Sequence, residues 1–105
     1  MVLTATGFVN KRAIDSAVRR VEAAFAPQVV RISHFFREDS AGEPSVYFRV
    51  LVRDEAAPVE RLVGLSRRLA VALMDEIRID ENGLRTYFEF RSVSEQDRLQ
   101  DPAWD

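Results

Sequence analysis

A chain of 105 residues, 47% hydrophobic and 30% charged, has the size and balance of one globular domain. A net charge of −2 argues against a strongly basic nucleic-acid binder, and the absence of cysteine excludes a disulfide framework and a thiolate metal site. No stretch approaches the roughly 20 apolar residues of a membrane span. The opening MVLTATGFVNKRAI lacks the basic start and apolar run of a signal peptide, so a cytoplasmic protein with no membrane partner is expected.

Residues 1–9 supply Val2, Leu3, Thr4, Thr6, Phe8 and Val9, a candidate first strand interrupted by Gly7. Asn10 has N-cap chemistry. Ile14, Val18, Val21 and Phe25 then follow at spacings of four, three and four, which predicts a helix over 11–26 stopped by Pro27. From Val29 to Glu38 the side chains alternate. Val30, Ile32, His34 and Phe36 fall on one side, and Arg31, Ser33, Phe35 and Arg37 on the other. Asp39, Ser40, Gly42 and Pro44 mark a turn. A second strand puts Val46, Phe48, Val50 and Val52 opposite Tyr47, Arg49, Leu51 and Arg53, completing an antiparallel hairpin.

A second helix is expected to begin between Asp54 and Pro58, with proline near its first turn. Val59, Leu62, Val63, Leu69, Ala70, Leu73 and Ile77 form its stripe, with Leu65, Val71 and Met74 off it. Asp80 to Gly83 reads as a turn, although Ile77 to Asp80 could instead open a tight hairpin across Asn82-Gly83. In the last strand Leu84, Thr86, Phe88 and Phe90 oppose Arg85, Tyr87, Glu89 and Arg91. Residues 94–105 form a polar, acidic tail ending in Trp104, beyond a single domain over 1–93.

The expected fold is therefore α+β. Its element order (β)αββαβ resembles a ferredoxin-like two-layer sandwich, with two helices on one face of an antiparallel sheet. Without the first strand the order also resembles a KH-like sheet. The apolar side must meet the helices. The other face then carries Arg31, Phe35, Arg37, Tyr47, Arg49, Arg53, Arg85, Tyr87 and Arg91, the candidate binding residues. Arginine outnumbers lysine fourteen to one. Bidentate recognition would explain that, and so would a GC-rich genome.

Three readings of this face stand. It could be a protein interface, with a homodimer the simplest case, because arginine and tyrosine are enriched at hot spots. It could bind single-stranded RNA or DNA through guanidinium and ring contacts. Or it could simply meet water. The nucleic-acid reading lacks its signatures: RTYFEF has Thr86 where an RNA-recognition motif wants glycine, and no GxxG loop occurs. Trp104 is a possible anchor, docking in a partner or folding back.

Catalytic chemistry is thin. His34 is the only histidine, the serines lack a nucleophile elbow, and glycines 7, 42, 64 and 83 are too scattered for a phosphate loop. Asp75, Glu76, Asp80 and Glu81 cluster acidity without a calcium-loop spacing. No catalytic residue, cofactor or metal is expected. The leading expectation is a non-catalytic interaction domain. The enzymatic alternative is a ligand cleft around His34 or Arg31.

Overall fold

A computed structural model describes residues 11–77 and 83–104. The candidate first strand, the Asn10 cap and the rival hairpin after Ile77 lie outside the described residues. The described elements are α1 (Lys11–Ala24), β1 (Val29–Glu38), β2 (Pro44–Val52), α2 (Val59–Ile77), β3 (Arg85–Ser92) and α3 (Val93–Leu99). Single 3-10 turns cover Asp54–Ala56 and Pro102–Trp104.

Among the described residues the protein is α+β with one three-stranded sheet, ordered β1-β2-β3. The sheet is mixed rather than antiparallel throughout. β1 and β2 form the expected antiparallel hairpin, with Phe35 opposite Tyr47 and Ile32 opposite Val50. β3 runs parallel to β2, with Tyr47 opposite Tyr87 and Val50 opposite Phe90. The physical reason is the connection. β2 returns to β3 through α2, and a helical crossover brings a strand back in the same direction. A ferredoxin-like sheet would place another strand between these two. Here they hydrogen-bond directly.

A buried cluster joins α1 and α2 to one sheet face. Ile14, Val18 and Val21 of α1 and Leu65, Leu69, Leu73 and Ile77 of α2 meet Ile32, Val46, Phe48, Val50 and Val52. A 2.8 Å ion pair from Arg20 Nε to Glu76 ties the helices together at their solvent edge. Strand β1 departs from simple alternation at its start. A bulge between Val29 and Arg31 buries Val29 and leaves Val30 47% exposed, so Val30 does not join the core as its parity predicts.

The second helix also differs in phase. Asp54–Ala56 forms a separate 3-10 turn, and α2 starts only after Pro58, whose carbonyl accepts the Arg61 and Leu62 amides. Leu65 is buried, whereas Val59 and Val63 are exposed. The core therefore lies along the 65-69-73-77 line, which keeps Leu69, Leu73 and Ile77 of the expected stripe and departs from it in the first turns.

Side chains of α1 close the outer edge of β1. Glu22 Oε2 accepts the Ile32 amide at 2.7 Å, and Arg19 donates to the Ile32 carbonyl. Arg19 and Glu22 are themselves paired at 3.1 Å. The outward-facing backbone groups of Ile32 are thus satisfied without another strand.

Candidate interaction surface on the open sheet face

The face away from α1 and α2 is built by register. Phe35, Tyr47 and Tyr87 occupy adjacent positions on three neighbouring strands. Their rings form a ladder across the sheet. Phe35 and Tyr47 are 5.0 Å apart with planes 7° from parallel, and Tyr47 and Tyr87 are 4.9 Å apart at 17°. Those spacings match the separation of adjacent strands, roughly 4.8 Å. Each ring therefore turns its faces to its neighbours and an edge to solvent. Arg37 sits 4.9 Å from the Tyr47 centroid, and Arg49 sits 4.5 Å from that of Phe35. These cation–π contacts occupy more of the ring surface.

The ladder is tied to the hairpin turn. Asp39 Oδ1 accepts the Ala41 and Glu43 amides, each at 2.9 Å, while Gly42 takes φ +79°. Asp39 Oδ2 accepts the Tyr87 hydroxyl at 2.7 Å. That hydroxyl, with the Glu43 and Ala41 amides, holds the Asp39 carboxyl below its usual 3.8. The same bond raises the Tyr87 phenol above its usual 10.0.

The other end of the face is covered by the chain's own C-terminus. Ser92 caps α3 by accepting the Glu95 amide at 3.1 Å, the forward half of a Ser-x-x-Glu box. Beyond α3, Gln100 turns through the left-handed region at φ 50° and sends residues 101–104 back over the sheet. Trp104 ends 4% exposed, its ring 4.4 Å from the Arg91 guanidinium. Gln96 is the hub. It accepts from Arg91 at 2.8 Å and donates to the Asp101 carbonyl at 2.7 Å. Arg49 donates to the Ala103 carbonyl at 3.1 Å. Arg49 Nε is buried without a hydrogen bond; Glu89, at 3.8 Å, gives it only charge pairing. Ser94 holds Asp54 through both its amide and its hydroxyl, which depresses the Asp54 carboxyl below 3.8.

The nine candidate residues thus divide. Phe35, Arg37, Tyr47, Arg85 and Tyr87 surround the ladder. Arg49 and Arg91 are engaged by the C-terminal segment, so they do not lie on an open surface. Arg31 and Arg53 are exposed at the far end of the strands, where Arg53 pairs with Glu55 at 3.5 Å. Trp104 folds back onto its own domain. The sequence reading did not single out Asp39 or Gln96. Asp39 stood there as a turn former, and its aim at Tyr87 depends on which side of the hairpin β3 joins. Gln96 carried no signal beyond the capping box upstream.

His34 faces the helix layer. Burial lowers its pKa below 6.5, with Asp15 opposing and Arg19 assisting. It packs edge-on against Phe36 at 5.7 Å. A cavity of about 610 Å³ lies elsewhere, lined by Pro27, Arg53, Arg61, Gly64, Leu65 and Arg68 among others, and includes neither His34 nor Arg31. Among the described residues no group of three or more His, Cys, Asp or Glu could hold a metal ion. No described helix is long and apolar enough to cross a membrane. The chain matches no known family model, no curated protein and no solved structure.

Proposed function

We propose that this chain is a small, cytoplasmic, non-catalytic interaction domain that binds protein through Phe35, Arg37, Tyr47, Arg85 and Tyr87. The observation that carries this reading is the orientation of the ladder. A single-strand nucleic-acid platform needs ring faces turned outward for bases to stack on. Here the faces of Phe35 and Tyr47 are taken by neighbouring rings and guanidinium groups, and apart from the outer face of Tyr87 it is edges that are offered. Edge-presenting tyrosines beside arginines suit the packed, partly polar contacts of protein hot spots. The proposal rests on this face and not on a ferredoxin-like or KH-like label, because fold alone does not give function.

A photo-crosslinking residue at position 37 or 47, compared with one at Asp97, tests the reading. Discrete protein adducts from 37 and 47, absent from 97, are expected. Adducts to RNA, or binding of mixed-sequence single-stranded RNA that weakens steeply with salt, would favour the nucleic-acid reading instead.

A further inference from the structure

The two outer edges of the sheet are treated differently. On β1 the edge is blocked three ways: a bulge at Val30, the Glu22 carboxylate on the Ile32 amide, and Arg19 on the Ile32 carbonyl. These are familiar devices against strand addition. Among the described residues β3 has none of these. RTYFEFRS contains no proline or lysine, and its register with β2 is continuous from Arg85 to Ser92. Among the described residues nothing pairs with the outer side of β3. Tyr87, the last ring of the ladder, is 38% exposed there.

The side chains of β3 are also self-complementary. An antiparallel twofold pair centred on Tyr87 sets Tyr87 against Tyr87 of a second copy. The same register sets Arg85 opposite Glu89 of the second copy, and Glu89 opposite its Arg85. Arg85 is exposed, and the Glu89 side chain is 63% exposed and held only by its 3.8 Å charge pairing with Arg49, so both can reach across. On the helix-facing side, Thr86 would meet Phe88 of the second copy and Leu84 its Phe90. Both phenylalanines are half-buried at this edge. Sliding by two residues one way sets Arg85 against Arg91 of the second copy; sliding the other way leaves Glu89 opposite Gly83. Sliding by one residue would bring the two helix layers to opposite faces. One register alone satisfies charge, aromatic stacking and layer continuity.

We propose that the protein forms a symmetric dimer through the β3 edges, in which two three-stranded sheets become one of six strands centred on Tyr87. Backbone hydrogen bonds between the strands supply affinity, and the reciprocal Arg85–Glu89 pairs fix the register. The open face is not consumed. The ladder instead runs unbroken from Phe35 of one copy to Phe35 of the other. The edge pairing does not depend on what the face binds.

Sedimentation analysis of wild type, Arg85→Glu, Glu89→Arg and the double reversal tests it. Wild type should reach twice the 12.0 kDa of one chain. Each single reversal sets like charges opposite each other at two symmetric places and should weaken dimerisation roughly tenfold or more. The double reversal should restore it. Tyr87→Cys gives a second readout, because the chain has no other thiol. Opposed Cα atoms about 4.5–5.5 Å apart fall within disulfide reach, so oxidation should yield a covalent dimer, whereas Arg85→Cys should not crosslink. A wild type that stays monomeric at every concentration, or a dimer indifferent to the single reversals, overturns the proposal. Either result leaves crosslinking from positions 37 and 47 as a separate question about the face.

Discussion

Replacing Trp104 with alanine should remove much of what fastens the C-terminal segment to the sheet. The side chain is 4% exposed and lies against the Arg91 guanidinium. A buried tryptophan hides roughly 150–250 Å², which at about 25 cal/mol per Å² is worth ~4–6 kcal/mol. A compact denatured state already hides some of this area, lowering the figure by roughly 10–40%. The segment is a single 3-10 turn held by a few hydrogen bonds, so it can lift away rather than enclose a cavity. That limits the loss to what the docked segment contributes, about 2–4 kcal/mol. At roughly 4–8 °C per kcal/mol for a domain near this size, the melting temperature should fall by at least ~8 °C. Far-UV circular dichroism on heating and in urea measures the loss. Amide exchange locates it: the Gln100 and Trp104 amides, bonded to the Gln96 and Asp101 carbonyls, should lose protection while β2 keeps its own. A variant that melts within ~2 °C of wild type, with those amides still protected, would refute this account.

Gln100→Gly should stabilise the protein by about 1 kcal/mol, since a side chain at φ 50° carries left-handed strain that glycine lacks; thermal melting reads the gain. Glu22→Ala should cost about 1–3 kcal/mol by leaving the Ile32 amide without its acceptor. Light scattering on incubation should also show aggregation, as the β1 edge becomes available. Acid titration should show a third effect. Asp39 and Asp54 have folded pKa values below 3.8, so the stability they add is complete above that pH and is lost as pH falls through the lower folded values. Tyr87→Phe combined with Ser94→Ala should make that acid limb shallower, and NMR titration should find both carboxyls closer to 3.8.

Much of the hairpin was readable because alternation has a period of two and the turn residues are unambiguous. Phe35, Tyr47 and Tyr87 were correctly placed on one face by parity alone. Parity failed at Val30, where a bulge moved the count by one without any local mark in the sequence. The direction of β3 was not readable either. It follows from where α2 lays the chain down, a tertiary property that strand composition does not encode. In α2 Leu69, Leu73 and Ile77 are core residues as the stripe predicts, but Leu65 joins them and Val59 and Val63 do not, because apolar residues surround the helix. Leu65 and Val63 look alike in sequence, and only burial in the folded core separates them. The fate of Trp104 was open between folding back and docking elsewhere. Gln96, which bridges Arg91 and Asp101, ties the segment back, and nothing in a glutamine announces that role.

The crossover between β2 and β3 also sets an order of events in time. Five residues, 39–43, separate the hairpin strands, whereas thirty-two, 53–84, separate β2 from β3. Loop-closure entropy makes the second pairing about 1.6 kcal/mol costlier to initiate, before any contact compensates. The hairpin should therefore close early, with native-like energetics at Val46 and Phe48 in the transition state, and β3 should dock late. Until it does, the turn acid Asp39 has no phenol to accept from, and the ladder stops at two rings. The strand that docks last is also the one whose outer side no described residue pairs with, so the last step of folding delivers the surface on which assembly would begin.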